Sequence, residues 1–170
     1  MLLTNNIEDA VKPMAGLLER EIAQTKPLTL VDRAAANLHR TAAIFLQEVT
    51  AYLGLKRVSP RQYNILRILR GAGDEGLCCN EIASRLVSPD PDTTRLLDRL
   101  VARKWIRRSH DPKDRRIVRV RITPSGSRLL ASLEKTVRTI QNRQFRNLKE
   151  DDLRRLVSLL EALREPKGQS

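Results

Sequence analysis

The chain has 170 residues and a net charge of +12, with 41% hydrophobic and only 3% aromatic residues. That length supports one domain with helical extensions and a core of its own, and no apolar run approaches the roughly 20 residues a membrane span needs. The two cysteines are adjacent and make no disulfide framework, and the N-terminus lacks a basic stretch followed by an apolar one, so a cytoplasmic location is expected.

In chain order, residues 5–24 set Ile7, Val11, Met14, Leu17, Leu18 and Ile22 on one helical face, bent or shortened at Pro13. Glu8, Asp9, Glu19 and Glu21 oppose an anionic membrane, so this face reads as a packing element. After the break at Pro27, Leu30 to Leu53 forms one long helix, with Leu30, Ala34, Leu38, Phe45, Val49 and Tyr52 recurring at a coiled-coil-like period. SPRQYNILRILRG (59–71) opens with a capping box from Ser59 and Gln62 around Pro60. Its buried stripe is Tyr63, Leu66 and Leu69/Arg70, and Gly71 is suited to end it in the left-handed conformation.

The loop GAGDEG leads to a short helix over CNEIASRL (79–86), which Cys78 precedes. DPDTTRLLDRLVARK (90–104) follows, with Asp90 as N-cap, Pro91 at the first helical position, and Leu96, Leu97, Leu100 and Val101 at helical spacing. In WIRRSHDPKDRRIVRVRIT (105–123), Val118, Val120 and Ile122 alternate with Arg119 and Arg121 as in a half-buried strand, and Pro112 marks a polar turn. Thr123 and Pro124 start a helix with Leu129, Leu130, Leu133, Val137 and Ile140 on one face; a last helix carries Leu153, Leu156, Val157, Leu160 and Leu163. These stripes are too long to be covered by a small core, so they predict a homodimer.

The expected class is mainly α with a small β-hairpin wing: a winged helix-turn-helix with N- and C-terminal dimerisation helices. Its divisions are an N-terminal helical extension (1–27), a first dimerisation helix (28–55), a winged helix-turn-helix DNA-binding lobe (56–123), C-terminal dimerisation helices (124–165) and a tail (166–170). The charge is localised: Lys56 to Arg121 carries 17 Lys and Arg against 8 Asp and Glu, +9 of the net +12. A helix for the major groove beside a basic hairpin fits double-stranded DNA. Asp92, Thr93, Thr94, Arg95 and Arg99 are the exposed candidates on the helix, the arginines for guanine or phosphate and the threonines for a thymine methyl. Arg107, Arg108, Lys113 and Arg116 are phosphate clamps, which set affinity rather than sequence.

Other chemistry is hard to build. His39 and His110 have no partner at metal-ligand spacing, GAGDEG is not a phosphate loop, and no nucleophile has a recognisable context, so no enzyme, cofactor or metal is expected. Two further classes stay open. An RNA-binding module would lean on aromatic platforms, which this chain scarcely has. A protein-interaction module would bind DNA weakly and without steep salt dependence.

NEIASRL, then DPDTTRLLDRLVARKWIRRSHDPKDRRIVRVRIT, then PSG and a run of leucines, resemble the MarR family of winged helix-turn-helix transcriptional regulators. The resemblance implies a repressor whose interlocked dimer places two recognition helices on a pseudo-palindromic operator. It implies that Arg115 enters the minor groove, held by Asp114, and that a small aromatic or phenolic ligand binds between the dimer helices and the DNA-binding lobe. His39, Phe45, Tyr52 and Trp105 are the candidates for lining that cleft. Two departures stand out. Lys104 replaces the usual Gly after the recognition helix, which predicts a differently shaped hinge into the wing. Cys78 stands where Ser or Thr normally caps a helix, and a thiol there is a candidate redox switch.

Overall fold

The computed structural model describes residues 16–23, 26–88, 92–111 and 114–165. The expectations placed on Ile7, Val11, Pro13, Met14, Asp90, Pro91, Pro112 and Lys113 lie outside these residues. The elements run α1 (Leu17–Glu21), α2 (Leu30–Leu55), α3 (Pro60–Gly71), a single 3-10 turn (Gly73–Glu75), α4 (Cys79–Ser84), α5 (Thr93–Ala102), β1 (Ile106–His110), β2 (Val118–Ile122), α6 (Pro124–Gln144) and α7 (Glu150–Arg164). The chain forms two compact units, one ending at Ile44 and the other beginning at Phe45, inside α2.

In the first unit, α1 is a single turn whose Leu18 is buried while Leu17 and Ile22 stay exposed. Two ion pairs tie it to α2: Glu19 Oε1 to Arg33 Nε at 2.7 Å and Glu21 Oε2 to Arg40 Nε at 3.3 Å. Thr29 Oγ1 accepts the Asp32 N–H at 3.1 Å, satisfying one of the free donors at the start of α2.

The second unit holds the core. The capping box expected for α3 is present in both halves: Gln62 N–H donates to Ser59 Oγ at 3.2 Å, and Ser59 N–H to Gln62 Oε1 at 2.9 Å. Tyr63, Ile65, Leu66 and Leu69 of α3 are buried with Leu53, Ile82, Leu97, Leu100, Leu130 and Leu133. Gly71 is the last residue of α3, and the left-handed conformation falls instead on Gly73, two residues on, with Ala72 still helical. Arg70, drawn into the stripe by periodicity, is exposed at the edge and makes a bidentate pair with Glu134 of α6 at 2.5 and 2.6 Å.

The hairpin is antiparallel, with Ile106 opposite Ile122 and Arg108 opposite Val120. Leu77 adds a third, one-residue rung: its N–H and C=O bond Val120 at 3.0 and 2.8 Å. Gly76, at φ +65°, makes this possible, because a Cβ there would sit 2.5 Å from the Val120 carbonyl oxygen.

The junction from wing to α6 is tightly knotted. Thr123 Oγ1 and Ser125 Oγ each donate to the Lys104 carbonyl at 2.7 Å, and Thr123 N–H donates to the Trp105 carbonyl at 3.0 Å. Gly126 lies so close that a Cβ would meet the same Trp105 oxygen at 2.1 Å. At the far end of α6, Gln144 Nε2 donates to the Phe45 carbonyl at 3.1 Å, Arg143 pairs with Glu48, and Phe45 packs edge-on against Phe145 with centroids 4.9 Å apart. α7 has no buried residue, and its Val157, Leu159 and Leu163 are exposed, as are Leu30, Val31 and Leu46 of α2.

Candidate nucleic-acid interface

The phase of α5 decides which side chains can reach DNA. Thr93, Leu96, Leu97 and Leu100 are buried, a stripe at i, i+3, i+4 and i+7, so Thr94, Arg95, Asp98 and Arg99 face outward. This corrects the expectation for Thr93, which is 5% exposed and belongs to the core side. The helix also begins at Thr93, with Asp92 at its N-cap in place of Asp90, and Asp92 Oδ2 lies 3.4 Å from Arg95 Nη1. The Arg95 side chain is 75% exposed, so this pair is weak and leaves the guanidinium accessible.

Across the other flank, Asp98 Oδ1 pairs with Arg108 Nη1 of β1 at 2.7 Å and ties the helix to the wing. The thiol of Cys79 lies 3.7 Å from Thr94 Oγ1, joining α4 to the same helix.

The C-terminus of α5 closes as a Schellman motif. Trp105 N–H donates to the Leu100 carbonyl at 3.1 Å and Lys104 N–H to the Val101 carbonyl at 2.8 Å. Lys104 takes φ +58°, so the hinge has the shape a glycine would give it, and the expectation of a different hinge is corrected. What holds Lys104 there is the apolar clamp of Trp105 under the wing and the two hydroxyls on its carbonyl. The end of α2 repeats the device: Arg57 takes φ +55°, and Val58 N–H donates to the Leu53 carbonyl at 3.0 Å.

The wing divides its basic residues into two sets. Arg119 is held internally, by Asp111 at 2.8 Å and Glu81 at 3.5 Å, and Arg121 donates to the Asp74 carbonyl and to Ser109 Oγ, both at 2.6 Å. Arg107, Arg115 and Arg116, like Arg99 on the helix, are exposed and make no side-chain ion pair among the described residues. At the tip, His110 Nδ1 lies 2.7 Å from the Arg115 carbonyl, and Asp114 Oδ1 accepts the Arg116 N–H at 2.9 Å. Asp114 therefore shapes the backbone of the turn on which Arg115 stands. Lys113 lies outside the described residues.

Cys78 occupies the N-cap of α4, a helix of only 6 residues, and its N–H donates to Glu81 Oε2 at 2.7 Å. That backbone bond, followed by the Cys78 side chain and the charges of Arg119 and Arg85, holds the Glu81 carboxyl below the ordinary carboxylate range. The candidates for a ligand cleft have separate surroundings: Phe45 packs on Phe145, Tyr52 on the core, and Trp105 lies 4.8 Å beneath the Arg103 guanidinium, while His39 is exposed in the first unit. Arg57 and Arg103 escaped the sequence reading. They meet through the Arg103 guanidinium and the Arg57 carbonyl, a contact between residues 46 positions apart that no local pattern encodes.

Three packed helices, a hairpin tied to the third of them and a cationic outer surface define a winged helix-turn-helix DNA-binding protein. The comparisons agree. The MarR family model matches residues 58–118. A MarR transcription factor from Planctomyces limnophilus is 36% identical in its crystal structure, over 81% of this chain and 99% of that one, with a TM-score of 0.60. A cysteine-to-serine mutant of E. coli MarR complexed with operator DNA is 23% identical over 81% of this chain and 100% of that one, with a TM-score of 0.69. CouR from Rhodococcus jostii bound to p-coumaroyl-CoA is 24% identical over 85% and 100%, with a TM-score of 0.71. At their identity the last two show a shared fold alone. This chain belongs to the MarR family and is a DNA-binding transcriptional regulator.

Proposed function

We propose that the chain is a repressor that binds a pseudo-palindromic operator as a homodimer, acting by occupancy and carrying out no chemistry, in the cytoplasm where such an operator lies. The observation that carries this reading is the division among the arginines. Those on the inner side of the hairpin are spent on internal bonds, whereas Arg99, Arg107, Arg115 and Arg116 are left exposed on helix and wing. Arg95 and Arg99 read or grip the major groove, with Thr94 and Asp92 beside them; Arg115 enters the minor groove from a turn shaped by Asp114; Lys113, Arg107, Arg108 and Arg116 meet phosphates. Arg108 has the further task of holding the wing to α5 through Asp98.

The exposed apolar residues of α2 and α7 support the dimer, since a second copy would cover them, and two recognition helices about one DNA turn apart demand a two-fold site. The bound ligand of CouR supports release by a small aromatic or phenolic molecule, through a change in the spacing of the recognition helices.

The test is selection of duplexes from a random pool, followed by titration of the selected duplex at several salt concentrations. A palindromic motif is expected, and Arg115→Ala should weaken binding to it by about tenfold or more. Weak, salt-insensitive binding with no motif would overturn the reading in favour of a protein partner.

A further inference from the structure

An exposed arginine loses side-chain and loop freedom when it binds, so the backbone beneath Arg115 decides how well it can be aimed. The turn that carries it joins His110 to Val118, the last paired residues of the hairpin. Three bonds fix this turn on either side of Arg115. Asp111 N–H donates to the Ile117 carbonyl at 2.8 Å, Ile117 N–H to the Asp114 carbonyl at 3.0 Å, and Arg116 N–H to Asp114 Oδ1 at 2.9 Å. None of them uses the N–H or carbonyl of Arg115 itself. That carbonyl is met by an imidazole instead, with His110 Nδ1 2.7 Å away. Among the described residues this is the only hydrogen bond to the backbone N–H or carbonyl of Arg115. A carbonyl oxygen only accepts, so Nδ1 carries the hydrogen; the neutral ring is the Nδ1–H tautomer, and the imidazolium donates through the same atom. His110 ends β1 opposite Val118, so the ladder holds its own backbone, and the neighbouring Asp111 is tied to Arg119 at 2.8 Å. The ring is a strut from a fixed strand to the residue at the tip.

We propose that His110 is a positioning residue for minor-groove recognition: its Nδ1–H holds the Arg115 carbonyl and so aims the Arg115 guanidinium into the groove. The inference rests on Arg115 as the minor-groove contact, as proposed above. It concerns selectivity as well as affinity. Narrow minor grooves, found in A·T runs, attract arginine most strongly. An arginine aimed from a fixed backbone responds to that width, whereas one on a loose turn grips phosphate whatever the sequence. The A·T preference read by the wing therefore depends on His110, and the readout by α5 does not.

The test is a double-mutant cycle on the selected duplex, with the random-pool selection repeated for each variant. Arg115→Ala should weaken binding by about tenfold or more and His110→Ala by about fivefold. The double variant should bind no worse than Arg115→Ala alone, because the histidine acts through the arginine. Positions at which Arg115→Ala loses an A·T preference are those the wing reads; His110→Ala should lose it at the same positions and keep the rest of the motif. Asn and Leu at position 110 separate the donor from its bulk. They are close in shape, and the Asn amide sets an N–H about where the Nδ1–H stands. His110→Asn should bind within about twofold of the wild type and His110→Leu should not, a contrast that decides the matter even where alanine loosens the hairpin. Additive losses in the double variant would make His110 an independent contact and overturn the positioning role, as would an A·T preference retained in His110→Ala. Equal binding by the Asn and Leu variants would overturn the hydrogen bond. If Arg115→Ala binds and selects as the wild type does, the reading of Arg115 fails first and the inference falls with it.

Discussion

At the scale of single residues, the two basic left-handed positions are the least expected feature. Arg57 and Lys104 each follow the end of a helix in a conformation that favours glycine, at φ +55° and +58°. Lys104→Gly should raise stability by about 0.5–1 kcal/mol, read as the midpoint of chemical denaturation, and should leave the hairpin register unchanged. A loss of stability would mean that the lysine side chain makes a contact worth more than the backbone strain. Glu81 gives the pH dependence. Its carboxyl is held below the ordinary range chiefly by the Cys78 N–H, so its contribution is fully present above the unfolded-state value and is lost as pH falls through the lower folded-state one. Glu81→Gln should therefore be less stable than the wild type at neutral pH, and the difference should close in the acid range; a gap independent of pH would rule out the charged form as its source.

At the scale of elements, local chemistry was legible in the sequence and long-range chemistry was not. The Ser59–Gln62 box was readable down to its individual bonds, because both partners lie within one turn. The hairpin was readable from alternation only in part: Val120 is buried and Ile122 half-buried, but Val118 is exposed, while Arg119 and Arg121 are half-buried by the internal bonds they make. Thr93 was misplaced because a polar residue at a helix start was taken as exposed; the signal was present, since it falls on the same stripe as Leu96, Leu97 and Leu100. The conformation of Lys104 was also readable in part: a large apolar residue directly after it, able to reach Leu100, is the companion of a Schellman end whatever residue occupies the turn. By contrast, the partners of Arg119, Arg121 and Arg103 are set by packing across 8 to 47 positions of chain. The junction of wing and α6 makes its own prediction. Gly126→Ala would drive a methyl into the Trp105 carbonyl and should cost about 1–3 kcal/mol, measured by thermal unfolding. An unchanged midpoint would show that the junction can open without cost.

At the scale of the whole molecule, the exposed leucines of α7 are the clearest sign that the single chain is incomplete. Leu163 is 68% exposed and Leu159 61%, on a helix with nothing buried. Leu163→Asp should shift the sedimenting species towards the monomer and weaken binding to a two-fold operator far more than binding to a half-site. Equal loss on both would locate the damage in the fold of the DNA-binding lobe.

The knot around Gly126 has a mechanical meaning. It fixes one end of α6 to the turn that ends the recognition helix, while Gln144 and Arg143 fasten the other end to α2 near Phe45. With 21 residues, α6 is about 31 Å long, and a swing of about 5° about the knot moves its far end by about 3 Å. One helix thus spans from the turn that ends the recognition helix to the Phe45 stretch of α2, fastened at both ends, so a displacement of α2 there would be felt at that turn through α6.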